Sequence, residues 1–214
     1  MKKLDKNKFF RKIVSVNSLN FLEEPYILQT FINGLLIVRR PIYSDGRGSF
    51  QEQYRVTDIA KSFKNTKISQ SQISVSKPNV LRGIHAEPRD KFITPLTGRM
   101  TAIIVDLRKN SPTLGEWAGF EFDNTSFDTP RTSLFVPGRC GNSFCVYKKD
   151  SDPNDGLMLY QYTYSTTYDP KWSKYGVRYD DPDLSIKWPI KNPIISDRDK
   201  NLPTFKEFLS FSEF

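Results

Sequence analysis

One histidine, His85, serves the whole chain of 214 residues, within Val80-Leu81-Arg82-Gly83-Ile84-His85-Ala86-Glu87. A metal centre that needs two or three imidazoles cannot be assembled from it, and no carboxylate cluster marks a metal site of another kind. A lone neutral imidazole can be a hydrogen-bonded structural residue. It can also be a general base near pH 7, provided the proton it takes is already acidic and well placed. Such a base gains from an orienting carboxylate, which favours the protonated ring; Asp197 and Asp199 flank Arg198 later in the chain. Taken alone, Asp199 reads as an exposed acid beside Arg198, and Lys91 as a surface salt-bridge partner. The run Leu157 to Tyr164 supplies phenols: at a period of two, Met158, Tyr160, Tyr162 and Tyr164 share one strand face. Phenols so placed either pack as core aromatics or serve as proton donors. Cys140 and Cys145 sit inside a strand-like run and read as buried free thiols rather than a disulfide or zinc knuckle.

The elements that must position these groups are mostly strands. From Gly34 onward short apolar runs recur, such as Leu35-Leu36-Ile37-Val38, Thr101 to Val105, Ser133 to Val136 and Ser143 to Tyr147. Turn signals separate them at Ser44-Asp45-Gly46, Lys77-Pro78-Asn79, Thr97-Gly98, Asn110-Ser111-Pro112 and Pro137-Gly138, the rhythm of an antiparallel sandwich or barrel. In a small barrel one face of the tyrosine strand must point inward. Short helices are expected around Ser18 to Phe31 and at Val56 to Phe63, and the Pro-rich stretch from Asp181 to Pro203 has too few periodic positions for long elements. The length suits a single domain over residues 34–214, with residues 1–33 as an N-terminal extension.

Composition narrows the function classes. Aromatics reach 14% of the chain, which argues against disorder. The net charge of +8 favours anionic partners in general. The basic residues are scattered apart from Lys2, Lys3, Lys6, Lys8, Arg11 and Lys12, which read as a solvated tail. No basic-aromatic stripe or recognised module points to nucleic acid. No apolar run nears the roughly 20 residues needed to span a bilayer, and no signal-peptide core follows the basic start, so a cytoplasmic protein that does not enter the membrane is expected.

Seven segments in order resemble the dTDP-4-dehydrorhamnose 3,5-epimerase family. They are Asp45-Gly46-Arg47-Gly48-Ser49-Phe50-Gln51-Glu52, Gln70-Ser71-Gln72-Ile73-Ser74, Val80 to His85, Val105-Asp106-Leu107-Arg108-Lys109-Asn110-Ser111-Pro112-Thr113, Phe135-Val136-Pro137-Gly138, Asp181 to Pro189, and Ile195 to Asp199. The similarity spans about residues 34 to 203. It implies an all-β, cupin-like jelly-roll barrel with short peripheral helices. It also implies an enzyme that inverts C3, C5 or both in a nucleotide-linked 4-keto-6-deoxy sugar, without a cofactor, as a homodimer.

By that resemblance His85 is the general base and Asp199 its orienting partner. Lys91 lies near the ketone, where a fixed ammonium stabilises an enolate. Counting back from Asp169-Pro170 makes Tyr162 the acid; counting by the Leu-Tyr pair gives Tyr160. Arg82 shares the work of Lys91 or holds the diphosphate. Arg47, Phe50 and Glu52 match positions that recognise the nucleotide, partly donated by a neighbouring subunit. Gln70 and Gln72 match a Gln-x-Asn pair. Asn142 stands where a second histidine is usual, as in a variant subgroup, and an amide can bind a hydroxyl or ketone but cannot titrate near neutrality. Tyr164 replaces a threonine. Two other readings remain open at this stage: a keto-isomerase on a related nucleotide sugar, and a non-catalytic sugar-nucleotide binding module.

Overall fold

A computed structural model describes residues 2–21, 26–55, 57, 68–148 and 156–211. Its strands are β1 (Lys2–Lys3), β2 (Ile13–Ser15), β3 (Ile27–Gln29), β4 (Leu36–Arg39), β5 (Ile42–Asp45), β6 (Gly48–Gln51), β7 (Gln70–Ser76), β8 (Leu81–His85), β9 (Lys91–Pro95), β10 (Gly98–Asp106), β11 (Trp117–Asn124), β12 (Thr132–Val136), β13 (Cys140–Tyr147) and β14 (Met158–Tyr164). Among the described residues three short α-helices accompany them: α1 (Lys6–Phe9), α2 (Asp197–Lys200) and α3 (Phe205–Ser210). The all-β class expected from the sequence is the class the chain adopts. A seven-stranded sheet of order β1-β3-β4-β12-β9-β14-β7 faces a five-stranded sheet of order β2-β11-β10-β13-β8, and β5 and β6 form a separate hairpin.

The main core fills the space between the two sheets. Ile93, Leu134, Met158 and Tyr160 from the larger sheet meet Met100, Ala102, Ile104, Phe120 and Phe144 from the smaller one. All nine residues of β10 are buried because its second face is covered as well. Ile103 and Val105, with Ile84 and Trp117, pack against Tyr175, Val177, Leu184 and Phe208 from the C-terminal segment. That Pro-rich segment, short of regular elements as its sequence predicts, is thus held against the outer face of the smaller sheet. No helix among the described residues is long and apolar enough to cross a membrane.

Two sequence expectations need correction. The helix expected around Ser18 to Phe31 is instead a 3-10 turn at Val16–Ser18 followed, in its later part, by β3. Pro25 interrupts the segment, and a proline inside a helix costs about 3 kcal/mol, whereas Ile27 and Leu28 gain burial by pairing with Val38 and Ile37 of β4. The basic N-terminal stretch is not a free tail. β1 pairs with β3, β2 pairs with β11, and Phe9 of α1 is fully buried while Lys6, Lys8, Arg11 and Lys12 around it are exposed. One aromatic anchor therefore fixes an otherwise solvated surface. The helix expected at Val56 to Phe63, Thr57 apart, and most of the long hairpin after Tyr147 lie outside the described residues.

Cys140 and Cys145 are both free and buried in β13. Burial pushes each thiol up to about 12.

Candidate active site

The site begins with how β8 is held. On one side it pairs with β13, with His85 opposite Asn142. On the other, the extended backbone at Tyr175 to Val177 bonds to it: Ala86 N donates to Tyr175 O, and Ile84 and Val177 exchange N–H and C=O. The β8–β13 register shifts between Asn142 and Phe144, and Gly83 makes that irregularity possible. Its φ is +119°, and a Cβ there would come within 2.4 Å of Ser143 Cβ, so only glycine fits without displacement.

Above β8 sits α2, capped by Ser196, whose side chain accepts from Asp199 N. The cap turns the Asp199 side chain down onto the strand. Its Oδ1 lies 2.7 Å from His85 Nε2, and its Oδ2 accepts from Gly83 N at 2.9 Å. Burial alone would raise this carboxyl, but the His85 contact and the Gly83 N–H outweigh it and hold the group below its ordinary range. An ionised Asp199 is an acceptor only, so Nε2 of His85 carries the proton they share and Nδ1 keeps the lone pair that can act as a base.

His85 lines a cavity of about 270 Å³ between the two sheets. Five other residues expected to serve the site line it too: Gln72, Arg82, Lys91, Asn142 and Tyr162. Tyr162 comes from β14 in the larger sheet and His85 from β8 in the smaller one, so base and phenol candidates belong to opposite walls. Burial raises the Tyr162 phenol well above its ordinary value, keeping it protonated, with nearby Ser74 and Arg82 pulling the other way. The Ser74 hydroxyl is buried beside it.

Tyr160 shares the inward face but not the cavity. It is fully buried, its ring lies 4.5 Å from Phe144, and its hydroxyl donates to Asn142 Oδ1 at 3.4 Å. With its oxygen engaged, Asn142 can offer its NH₂ to the cavity. Arg82 Nε donates to Ser76 Oγ. Lys91, only 2% exposed, donates to the His85 carbonyl at 3.1 Å and pairs with Glu87 Oε2 at 2.7 Å.

The remaining expected residues lie elsewhere. The amide oxygen of Gln70 accepts from Arg89 Nη1 and from Tyr168 N. Arg47 and Phe50 stand on the β5–β6 hairpin, with Arg47 paired to Asp45 and Phe50 68% exposed. Glu52, just past the hairpin, pairs with Arg40 and Arg55. The single chain therefore does not bring the three to His85. Sequence reading also missed Glu87 and Arg89, both buried at the cavity wall. An acid and an arginine flanking Pro88 carry no spacing signal, and only their closeness to His85 in the chain hints at them.

Two facing sheets that hold an imidazole–carboxylate pair across from a partly buried phenol make an all-β scaffold for proton transfer at carbon, with cationic groups ready for a developing oxyanion. The chain belongs to the dTDP-4-dehydrorhamnose 3,5-epimerase family, whose sequence model matches residues 29–207, and it is accordingly an isomerase. It is 30% identical over 186 residues to the dTDP-4-dehydrorhamnose 3,5-epimerase of Methanothermobacter thermautotrophicus, covering 84% of this chain and 94% of that one. It is 32% identical over 163 residues to a dTDP-4-dehydrorhamnose 3-epimerase of Streptomyces niveus, covering 74% and 73%. Among solved structures, the dTDP-6-deoxy-D-glucose-3,5-epimerase of Legionella pneumophila, in complex with dTDP-4-keto-L-rhamnose, superposes with a TM-score of 0.74 at 25% identity, covering 87% and 95%.

Proposed function

We propose that the protein epimerises C3, C5 or both in a dTDP-linked 4-keto-6-deoxy sugar through an enolate. The observation that carries this reading is that His85 and Tyr162 line one cavity from opposing sheets. The C4 ketone acidifies the protons on its neighbouring carbons. His85 Nδ1 removes one of them while Asp199 stabilises the imidazolium. The electron pair moves to the ketone oxygen, where the Lys91 ammonium, Arg82 and the Asn142 amide offer donors. Tyr162 then delivers a proton to the same carbon from the other face, which inverts its configuration. These steps need no metal or organic cofactor, because the ketone is the electron sink.

Support for the substrate class comes from the Legionella relative's bound nucleotide sugar and from the cations Arg82, Arg89, Lys91 and Arg198 at the cavity wall, which suit a diphosphate. Arg47, Phe50 and Glu52 contact the nucleotide of a neighbouring subunit in this reading, since their hairpin lies apart from its own cavity. The enzyme then works as a homodimer, in the cytoplasm.

The test is NMR of dTDP-4-keto-6-deoxyglucose with the protein in heavy water. Deuterium entering C3 or C5 with inversion and with the ketone still at C4 supports epimerisation. Migration of the ketone would instead establish a keto-isomerase, and binding without exchange would establish a non-catalytic module.

A further inference from the structure

Glu87 has no part in the mechanism above, yet it lines the same cavity two residues beyond His85. Its side chain is only 7% exposed. A carboxylate buried to that degree needs compensating charge. Here Oε2 lies 2.7 Å from Lys91 Nζ and 3.8 Å from Arg89 Nε. Lys91 in turn donates to the His85 carbonyl, so Glu87, Lys91 and the catalytic strand form one connected unit. Burial works to raise the Glu87 carboxyl, but Lys91 first, then His85 and Arg89, bring it down to about 2, and the group is an anion at any working pH.

The charges around His85 show what that anion does. Arg82 comes from its own strand, Lys91 from β9, Arg89 from the β8–β9 connection and Arg198 from α2. Tyr162 on β14 is kept neutral by burial, and Asn142 on β13 cannot titrate. Among the described residues, the anions that line the cavity or bond to His85 are Glu87 and Asp199. A base in a cavity with surplus positive charge is a weak base, because every nearby cation opposes the imidazolium that proton abstraction creates.

We propose that Glu87 is a positioning residue for the epimerisation: it fixes the Lys91 ammonium against the cavity wall and supplies the second negative charge against which His85 becomes an imidazolium. The role in turnover rests on the function proposed above, but the electrostatic claim does not, and the two can be tested apart.

Because His85 is the chain's only histidine, its imidazole signals can be followed by NMR across pH in the untagged protein without assignment. In Glu87→Gln the titration midpoint should fall by about half to one unit, and the acidic limb of kcat/KM should fall with it, with kcat roughly tenfold lower. Glu87→Asp keeps the charge and should hold the midpoint near wild type while losing kcat through a displaced Lys91. Lys91→Met, which removes the cation and leaves Glu87, should move the midpoint upward and serves if Glu87→Gln does not fold. An unmoved midpoint in Glu87→Gln, or a downward shift in Lys91→Met, overturns the proposal even if the enzyme epimerises normally. If the midpoints move as stated while the wild type exchanges no sugar proton, Glu87 governs the charge of His85 and the epimerase reading is the one that fails.

Discussion

Asp199 Oδ1 lies 2.7 Å from His85 Nε2 although 114 residues separate the two in the chain. The same carboxylate grips the backbone N–H of Gly83, so it fixes both the imidazole and the strand that carries it. His85→Asn should reduce kcat about 10³-fold or more. Asp199→Asn should cost about 10² to 10⁴-fold, since a neutral amide neither selects the tautomer nor stabilises the imidazolium. Deuterium incorporation at the sugar ring measures both losses. The Asp199 variant should also lose roughly 1–3 kcal/mol of stability, because one amide cannot replace both contacts.

The two tyrosines should separate cleanly. Tyr162→Phe should leave exchange of the substrate's ring proton on the His85 side in place while the inverted product falls about 10² to 10⁴-fold. Tyr160→Phe should leave kcat within a few-fold and cost about 1 kcal/mol of stability through the lost contact with Asn142. Following exchange and product together in a single NMR time course distinguishes them. Loss of the inverted product with exchange retained in Tyr160→Phe, and not in Tyr162→Phe, would reverse the assignment.

Gly83→Ala places a methyl 2.4 Å from Ser143 Cβ at a φ of +119°. A loss of at least about 3 kcal/mol in urea unfolding is expected, with activity falling further than stability because the Asp199 contact moves.

Acid stability should reflect Glu87. Its carboxyl is depressed from 4.5 to about 2 in the folded protein, so the stability it contributes is complete above about pH 4.5 and disappears as pH falls through about 2. The size is roughly 3 kcal/mol. Urea unfolding at a series of pH values across this window should show a shallower slope in Glu87→Gln than in wild type.

If the β5–β6 hairpin serves a neighbour's site, two inactive variants should rescue each other. Mixed and reassembled subunits of His85→Asn and of an Arg47→Ala, Phe50→Ala double variant should regain about a quarter of wild-type activity. Half the dimers would be mixed, each with one intact site. No recovery on mixing would place the nucleotide contacts within a single chain.

Much of this site was legible in the sequence because strand periodicity is strict. The two-residue repeat put Tyr160 and Tyr162 on one face, and both do point inward. What parity could not decide was depth along the strand, which the packing of Phe144 and the Asn142 contact settle for Tyr160. The Ser18 to Phe31 helix failed for a related reason: Pro25 argued against it locally, but the strand that takes its later part depends on pairing with β4, which exists only in three dimensions. Glu87 stayed hidden because its meaning depends on the Lys91 ammonium that its own strand connection folds back toward it.

The burial of Cys140 and Cys145 has a practical side. These are the chain's only sulfhydryls, and in the folded state almost none of either exists as the reactive thiolate at neutral pH. The native enzyme should therefore be indifferent to maleimides. A single engineered cysteine on the exposed hairpin would then be a unique attachment point for a fluorophore or spin label, reporting directly on whether that hairpin docks onto a second subunit.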